Sequence, residues 1–209
     1  MSALPGNWLN ARAWAQDDDG LPDAADGITQ MAPEPAPVLS FTDAKGAKLS
    51  LAEFRGHVLV VNIWATWCGP CADELPTFVT LAAAMKRYGG LVLPISIDVD
   101  GANAVSPFYA LHNITGLPIL LDPQGDDLDI LNTDGVPVTM VLNPAGQVVA
   151  RIDGGAKWDT PRIQAFLRAL SKPEGQVAPA QRATVQSIGV PYGGTPRENP
   201  RAILTNRLA

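Results

Sequence analysis

Residues 61–76 read VNIWATWCGPCADELP and hold both cysteines of the 209-residue chain. A C-x-x-C pair can be a reversible dithiol–disulfide couple, half of a metal site or a structural bridge, and its position separates these. VLVVNIW at 58–64 is apolar and β-branched, as a strand covered on both faces should be. From about Pro70 to Tyr88, Phe78, Leu81, Ala82 and Met85 follow helical spacing, and Lys86 and Arg87 suit a helix end before Gly89-Gly90. Cys68 therefore falls at a helix N-terminus, where unpaired N–H groups and the dipole favour an anion. Such placement can lower a thiol pKa from about 8.5 into the range of roughly 3.5–7.5. Cys68 is the expected nucleophile toward a substrate disulfide, and Cys71, one turn deeper, the residue that resolves the mixed disulfide. Pro70 is tolerated because first-turn residues need no intrahelical N–H partner.

The rival readings lack partners. Structural zinc usually needs four Cys or His ligands, and the remaining candidates, His57 and His112, lie in separate segments outside any second ligand pair. Covalent haem attachment needs a histidine directly after the second cysteine, where Ala72 stands. A purely structural bridge over so small a loop would remove little unfolded-state entropy. No metal or cofactor is expected, and both histidines read as ordinary surface or core residues.

Glu74 lies three residues after Cys71, on the same side of a helix. It is the candidate proton acceptor for the Cys71 thiol, or a group that tunes either cysteine's pKa. Asp73 reads as a helix-start residue, and Pro76 should kink the helix.

The elements that must position these residues occupy about 38–172, where strand and helix patterns alternate as in an α/β domain. VLSFTD and KGAKLSL suit an N-terminal hairpin, and Ser50 with Glu53 has the S-x-x-E pattern of a capped helical turn. LVLPISIDVD at 91–100 is a second buried strand in which Pro94 fits badly, requiring a bulge or an early position. A helix over 101–113 that Pro107 shortens or kinks, a short strand at 118–122 and a hairpin of VTMVLN with QVVARID follow. Thr160 as N-cap, Pro161 and apolar Ile163, Phe166, Leu167 and Leu170 define a closing helix.

Residues 1–37 are expected to be a flexible arm or linker, and 173–209 a disordered tail, because both are rich in breakers and poor in large apolar side chains. The net charge of −6 argues against a nucleic-acid partner. Its distribution is uneven: residues 1–40 hold six acids and one arginine, whereas 173–209 hold two acids and four arginines. No apolar run approaches the roughly 20 residues that span a bilayer. Residues 1–15 show no apolar signal core, although Ala13-Trp14-Ala15 has the small-x-small form of a signal-peptidase site.

VNIWATWCGPCADELP, the preceding LSLAEFRGHV and the later GVPVTMVLNPAGQVVARIDG at 135–154 together resemble the thioredoxin superfamily. Within it they resemble the TlpA-like thiol–disulfide oxidoreductases that include ResA-type cytochrome c maturation proteins. The resemblance implies a thioredoxin fold, a central mixed β-sheet flanked by helices, with a helix-containing insertion between LVLPISID and PILLD. It further implies a cis Val136–Pro137 bond facing the cysteines. Gly135, Val136 and Pro137, with Trp67, Gly69 and Pro70, would then form the substrate groove. Asn62 stands where thioredoxin proper has a buried aspartate, which favours the branch in which Glu74 is the available acid. Val138 and Met140 depart from the usual Thr and Phe and place the groove's character in question.

By the same resemblance the protein is a monomer that reduces disulfides of client proteins, in cytochrome c maturation or at metal-site thiols. A membrane thiol–disulfide transporter would re-reduce it, and the compartment would be the periplasm, without excluding the cytoplasm. The Cys-Gly-Pro-Cys dipeptide is that of thioredoxin, whose potential is about −270 mV, which suggests a reductant without fixing its potential. Two alternatives are a thiol-based copper carrier and a peroxiredoxin-like peroxidase. The second needs a threonine three residues before the attacking cysteine, where Ala65 stands.

Overall fold

A computed structural model describes residues 28–171 and 184–189. Its centre is β4 (Leu59–Trp64), in which every residue is buried. Alternation sends Leu59, Val61 and Ile63 to one face of the sheet and Val60 and Trp64 to the other, each into its own apolar cluster. Parallel β5 (Leu91–Ser96) lies on one side of β4, and antiparallel β7 (Val138–Leu142) on the other. With β1 (Thr29–Pro35), β2 (Ser40–Asp43), β3 (Lys48–Ser50), β6 (Leu120–Leu121) and β8 (Gln147–Asp153), the eight-stranded order is β1-β8-β7-β4-β5-β6-β2-β3.

Helices complete the thioredoxin arrangement. Phe78, Leu81 and Met85 of α1 (Gly69–Met85) and Ile163, Phe166 and Leu167 of α4 (Pro161–Leu170) bury their apolar stripes in one cluster. Between β5 and β6 lies the expected insertion, with α2 (Ala102–Leu111), whose Phe108 and Tyr109 pack on Trp64. The expected caps form: Thr160 Oγ1 accepts the Ile163 N–H at 3.3 Å, and the Glu53 carboxylate accepts the Ser50 N–H at 2.7 Å. Both α1 and α2 run on through their internal prolines, Pro76 and Pro107.

Several details depart from the sequence expectation. Pro94 sits within β5 with no need of a bulge. The N–H groups of Leu91 and Ile97 point to β4, so alternation turns the nitrogen of Pro94 to the opposite side. There β6 begins only at the level of Ile95, and no ladder bond is lost. The short α3 (Asp126–Ile130) had no sequence signal that separated it from loop. The arm expected over 1–37 is ordered at its end: Thr29–Pro35 adds β1 to the free edge of β8, an interaction of backbone groups that composition does not report. In the tail expected over 173–209, residues 184–187 form a helical turn. Val185 and Ile188 are buried in the apolar cluster on the sheet face away from α1. Residues 1–27, 172–183 and 190–209 lie outside the described residues, the Ala13-Trp14-Ala15 triplet among them.

Candidate active site

The strand-to-helix junction after β4 holds the cysteine pair in its oxidised form, with the sulfurs bonded at 2.02 Å. Cys68 is the N-cap of α1, and its sulfur accepts the N–H of Cys71 at 3.2 Å. A sulfur is thus aimed at the donors that a helix start leaves unpaired, which is the arrangement that favours a thiolate once the bond is reduced. Cys68 is 6% exposed and Cys71 fully buried, so only the first can meet an incoming disulfide.

The loop before β7 supplies the opposite wall. Val136–Pro137 is cis, as the resemblance implied, and the Val136 carbonyl oxygen lies 3.5 Å from the Cys68 sulfur. Gly154, at φ +107°, donates its N–H to the Pro137 carbonyl at 2.8 Å and so ties this loop to the end of β8. Next to it Gly155 packs on the active-site motif, where a side-chain carbon would stand 3.3 Å from Pro70 Cβ. Trp67, directly before Cys68, is 68% exposed. The structure therefore brings Val136 into contact with Cys68 and leaves Trp67 open on the surface. Gly69 and Pro70 form the first turn of α1.

Glu74 lies one turn after Cys71 and is 2% exposed. Its Oε1 accepts the side-chain N–H of Asn62 at 2.9 Å, and its Oε2 accepts the backbone N–H of Ala156 at 3.2 Å and the indole N–H of Trp158 at 3.3 Å. None of these bonds goes to a cysteine. Burial pushes the Glu74 pKa up to about 7 against the pull of its hydrogen-bond donors, Ala156 most strongly, then Trp158 and Asn62. A cleft lined in part by Pro70, Thr77, Gly155 and Lys157 opens beside the carboxylate. A carboxyl group poised near neutrality beside the resolving cysteine's helix turn is equipped to take up and release a proton.

Sequence reasoning found Asn62 and Glu74 but not what joins them to the rest. Asn62 shares the β4 face of Val60 and Trp64, so strand parity directs it at α1, and it also donates to Thr139 Oγ1 at 2.9 Å. Trp158 stacks on Phe78 with ring centroids 5.1 Å apart, and its backbone N–H donates to Thr77 Oγ1 at 3.1 Å. Its participation had no local signal, because it lies 84 residues from Glu74. Val138 and Met140 do not line the groove at all. They alternate onto the sheet face away from α1 and are buried there, so their departures from the family pattern concern the core.

The two histidines are engaged elsewhere. His57, buried before β4 at the end away from the cysteines, has Nδ1 2.6 Å from the Gly89 carbonyl. His112 caps α2 and stacks on Phe108. Among the described residues, no three His, Cys, Asp or Glu side chains gather where they could hold a metal ion. Likewise, no described helix is long and apolar enough to cross a membrane.

Known proteins resemble this chain in sequence and in fold. The chain is 31% identical over 119 residues to the thiol-disulfide oxidoreductase ResA of Geobacillus kaustophilus, a match covering 57% of this chain and 67% of that protein. Its match to ResA of Bacillus subtilis, at 28% identity, covers 57% of this chain and 65% of that protein, slightly under two thirds. Among solved structures, the thioredoxin domain of a thiol-disulfide oxidoreductase from Bacteroides vulgatus superposes with a TM-score of 0.55 at 22% identity. That superposition covers 68% of this chain and 99% of the other and supports the fold. The AhpC/TSA family profile matches residues 32–151, more than half of the chain, from within β1 to within β8, and the chain belongs to that family, with ResA proteins among its relatives.

Proposed function

We propose that this protein is a thiol–disulfide oxidoreductase that reduces disulfides of client proteins through Cys68 and Cys71. The observation that carries the reading is the Cys68 sulfur, which caps α1 through the Cys71 N–H and is the one of the two cysteines that keeps some exposure, 6%. In the reduced enzyme the Cys68 thiolate attacks one sulfur of a client disulfide. The client S–S bond breaks, a mixed disulfide forms and the client's other sulfur leaves as a thiolate. Cys71 then loses its proton to Glu74 and attacks the Cys68 sulfur. This step forms the Cys68–Cys71 bond seen here and expels the second client thiolate. Two electrons pass from the enzyme to the client, and a thiol donor restores the dithiol.

Trp67, Gly69 and Pro70 on one side, and Gly135, Val136 and cis-Pro137 on the other, form the groove in which the client backbone lies. The Val136 carbonyl beside Cys68 supports this assignment. The setting is cytochrome c maturation, with which the ResA relatives are consistent, or reduction of metal-site cysteines. The site of action is extracytoplasmic, the periplasm in a cell that has one, and the donor is a membrane thiol–disulfide transporter. The protein acts as a monomer.

The test is insulin reduction driven by dithiothreitol, which Cys68→Ser should abolish. Cys71→Ser should stall the mixed disulfide, and mass spectrometry of the captured species would name the client. Failure of the purified protein to cycle reversibly between dithiol and disulfide would refute the proposal. Tight, stoichiometric Cu(I) binding with little turnover would make it a copper carrier instead.

A further inference from the structure

Asp98 follows β5 and is buried, yet its carboxylate is used entirely by two loops. Its Oδ2 accepts the Thr66 backbone N–H at 2.9 Å and the Ser96 hydroxyl at 2.7 Å, while its Oδ1 accepts the Thr66 hydroxyl at 2.6 Å. Ser96 in turn holds the Asp98 N–H at 3.0 Å, and the Ser96 carbonyl accepts the Asp122 N–H at 2.8 Å. Two of the hydrogen bonds to the carboxylate, both from Thr66, join the loop before Cys68 to the loop after β5, and the third, from Ser96, ties the carboxylate to the end of β5. Each loop carries one large apolar side chain in solvent: Trp67 beside Thr66, 68% exposed, and Val99 beside Asp98, 84% exposed. Trp67 directly precedes Cys68, the cysteine that a client sulfur must touch, and the Thr66–Asp98 bonds bring the loop that carries Val99 alongside it.

We propose that Asp98 joins Trp67 and Val99 into one apolar rim of the client groove, on which an apolar side chain next to the client's disulfide rests. Val99 is a specificity residue for such clients, and Asp98 is a positioning residue that acts through Thr66. The inference rests on the reading of Trp67 as part of the groove. It extends the groove to a loop that the cysteine motif does not contain.

The experiment uses two peptides, each with a single cysteine in a mixed disulfide with thionitrobenzoate, carrying either leucine or serine on both sides of that cysteine. Reduced full-length enzyme should prefer the leucine peptide by about five- to tenfold in kcat/KM, through KM, as expected from partial burial of one such side chain. Val99→Asp and Asp98→Asn should each bring this ratio toward one, and the double variant should change it no further. A general loss of folding would slow both peptides alike and leave the ratio in place. A preference untouched in both variants but lost in Trp67→Ala would overturn the rim and leave the groove reading standing. A preference untouched in Trp67→Ala as well would overturn the groove reading itself. Should Asp98→Asn fail to fold, Thr66→Val removes only the hydroxyl bond, and the exposed Val99→Asp decides the question alone.

Discussion

Glu74 has two opposite dependences on pH. As proton acceptor it must be ionised, so resolution by Cys71 should accelerate as pH rises through about 7. Glu74→Gln should slow that step about a hundredfold at neutral pH and remove the rise, as rapid-mixing detection of the mixed disulfide would reveal. Trp158→Phe keeps the ring stacked on Phe78 but deletes a donor to the carboxylate. The midpoint of the pH–rate profile should then move above that of the parent. Unaltered profiles in both variants would remove Glu74 from the proton path. The residue types and spacing of Cys68, Cys71 and Glu74 were legible in one sixteen-residue run. The raised pKa was not, because it comes from burial beneath Ala156 and Trp158, more than 80 residues away.

At the scale of elements, the site is a meeting of strand ends and one helix start. β4 aims Asn62 at α1, the end of β8 anchors the cis-Pro loop through Gly154, and Gly155 admits Pro70 at close range. Gly155→Val would press its branched side chain on Pro70 and shift the first turn of α1. Client kcat/KM should fall about tenfold in this variant, with a thermal midpoint within a few degrees of the parent. The buried strands and amphipathic helices could be read from periodicity. β1 could not, since TQMAPEP is exposed everywhere but at the half-buried Met31 and is a strand because β8 offers a free edge.

At the scale of the whole molecule, two buried carboxyls tilt stability toward acid. Glu74 is raised to about 7 and Asp127, mainly by desolvation, to about 6. Each holds its proton more tightly folded than unfolded. Its contribution is therefore full below the unfolded values, near 4, and lost as pH climbs through 6 and 7. For Glu74 alone the difference is about 3 kcal/mol across that window. Denaturant unfolding at pH 5 and pH 8 should show Glu74→Gln losing less stability over the interval than the parent. The 184–187 turn closes the sheet face away from α1. Val185→Asp would bury an unpaired charge there and should cost about 3 kcal/mol or more, seen as a lower denaturation midpoint, whereas an unchanged midpoint would mean that the turn does not dock.

By itself the sequence picked out the cysteine pair as the candidate reacting group and gave the order of the main strands and helices, and its resemblance to a known family pointed to the branch of the fold. The pair and the elements depend on local sequence: two residues between thiols, a continuous apolar run over β4, and helical spacing along α1. Tertiary structure alone decided which polar groups surround Glu74, that Val138 and Met140 belong to the core, and that Asp98 reaches Thr66. Those contacts join residues that the chain separates by dozens of positions, and only the pairing of strands and the docking of helices sets which of them meet.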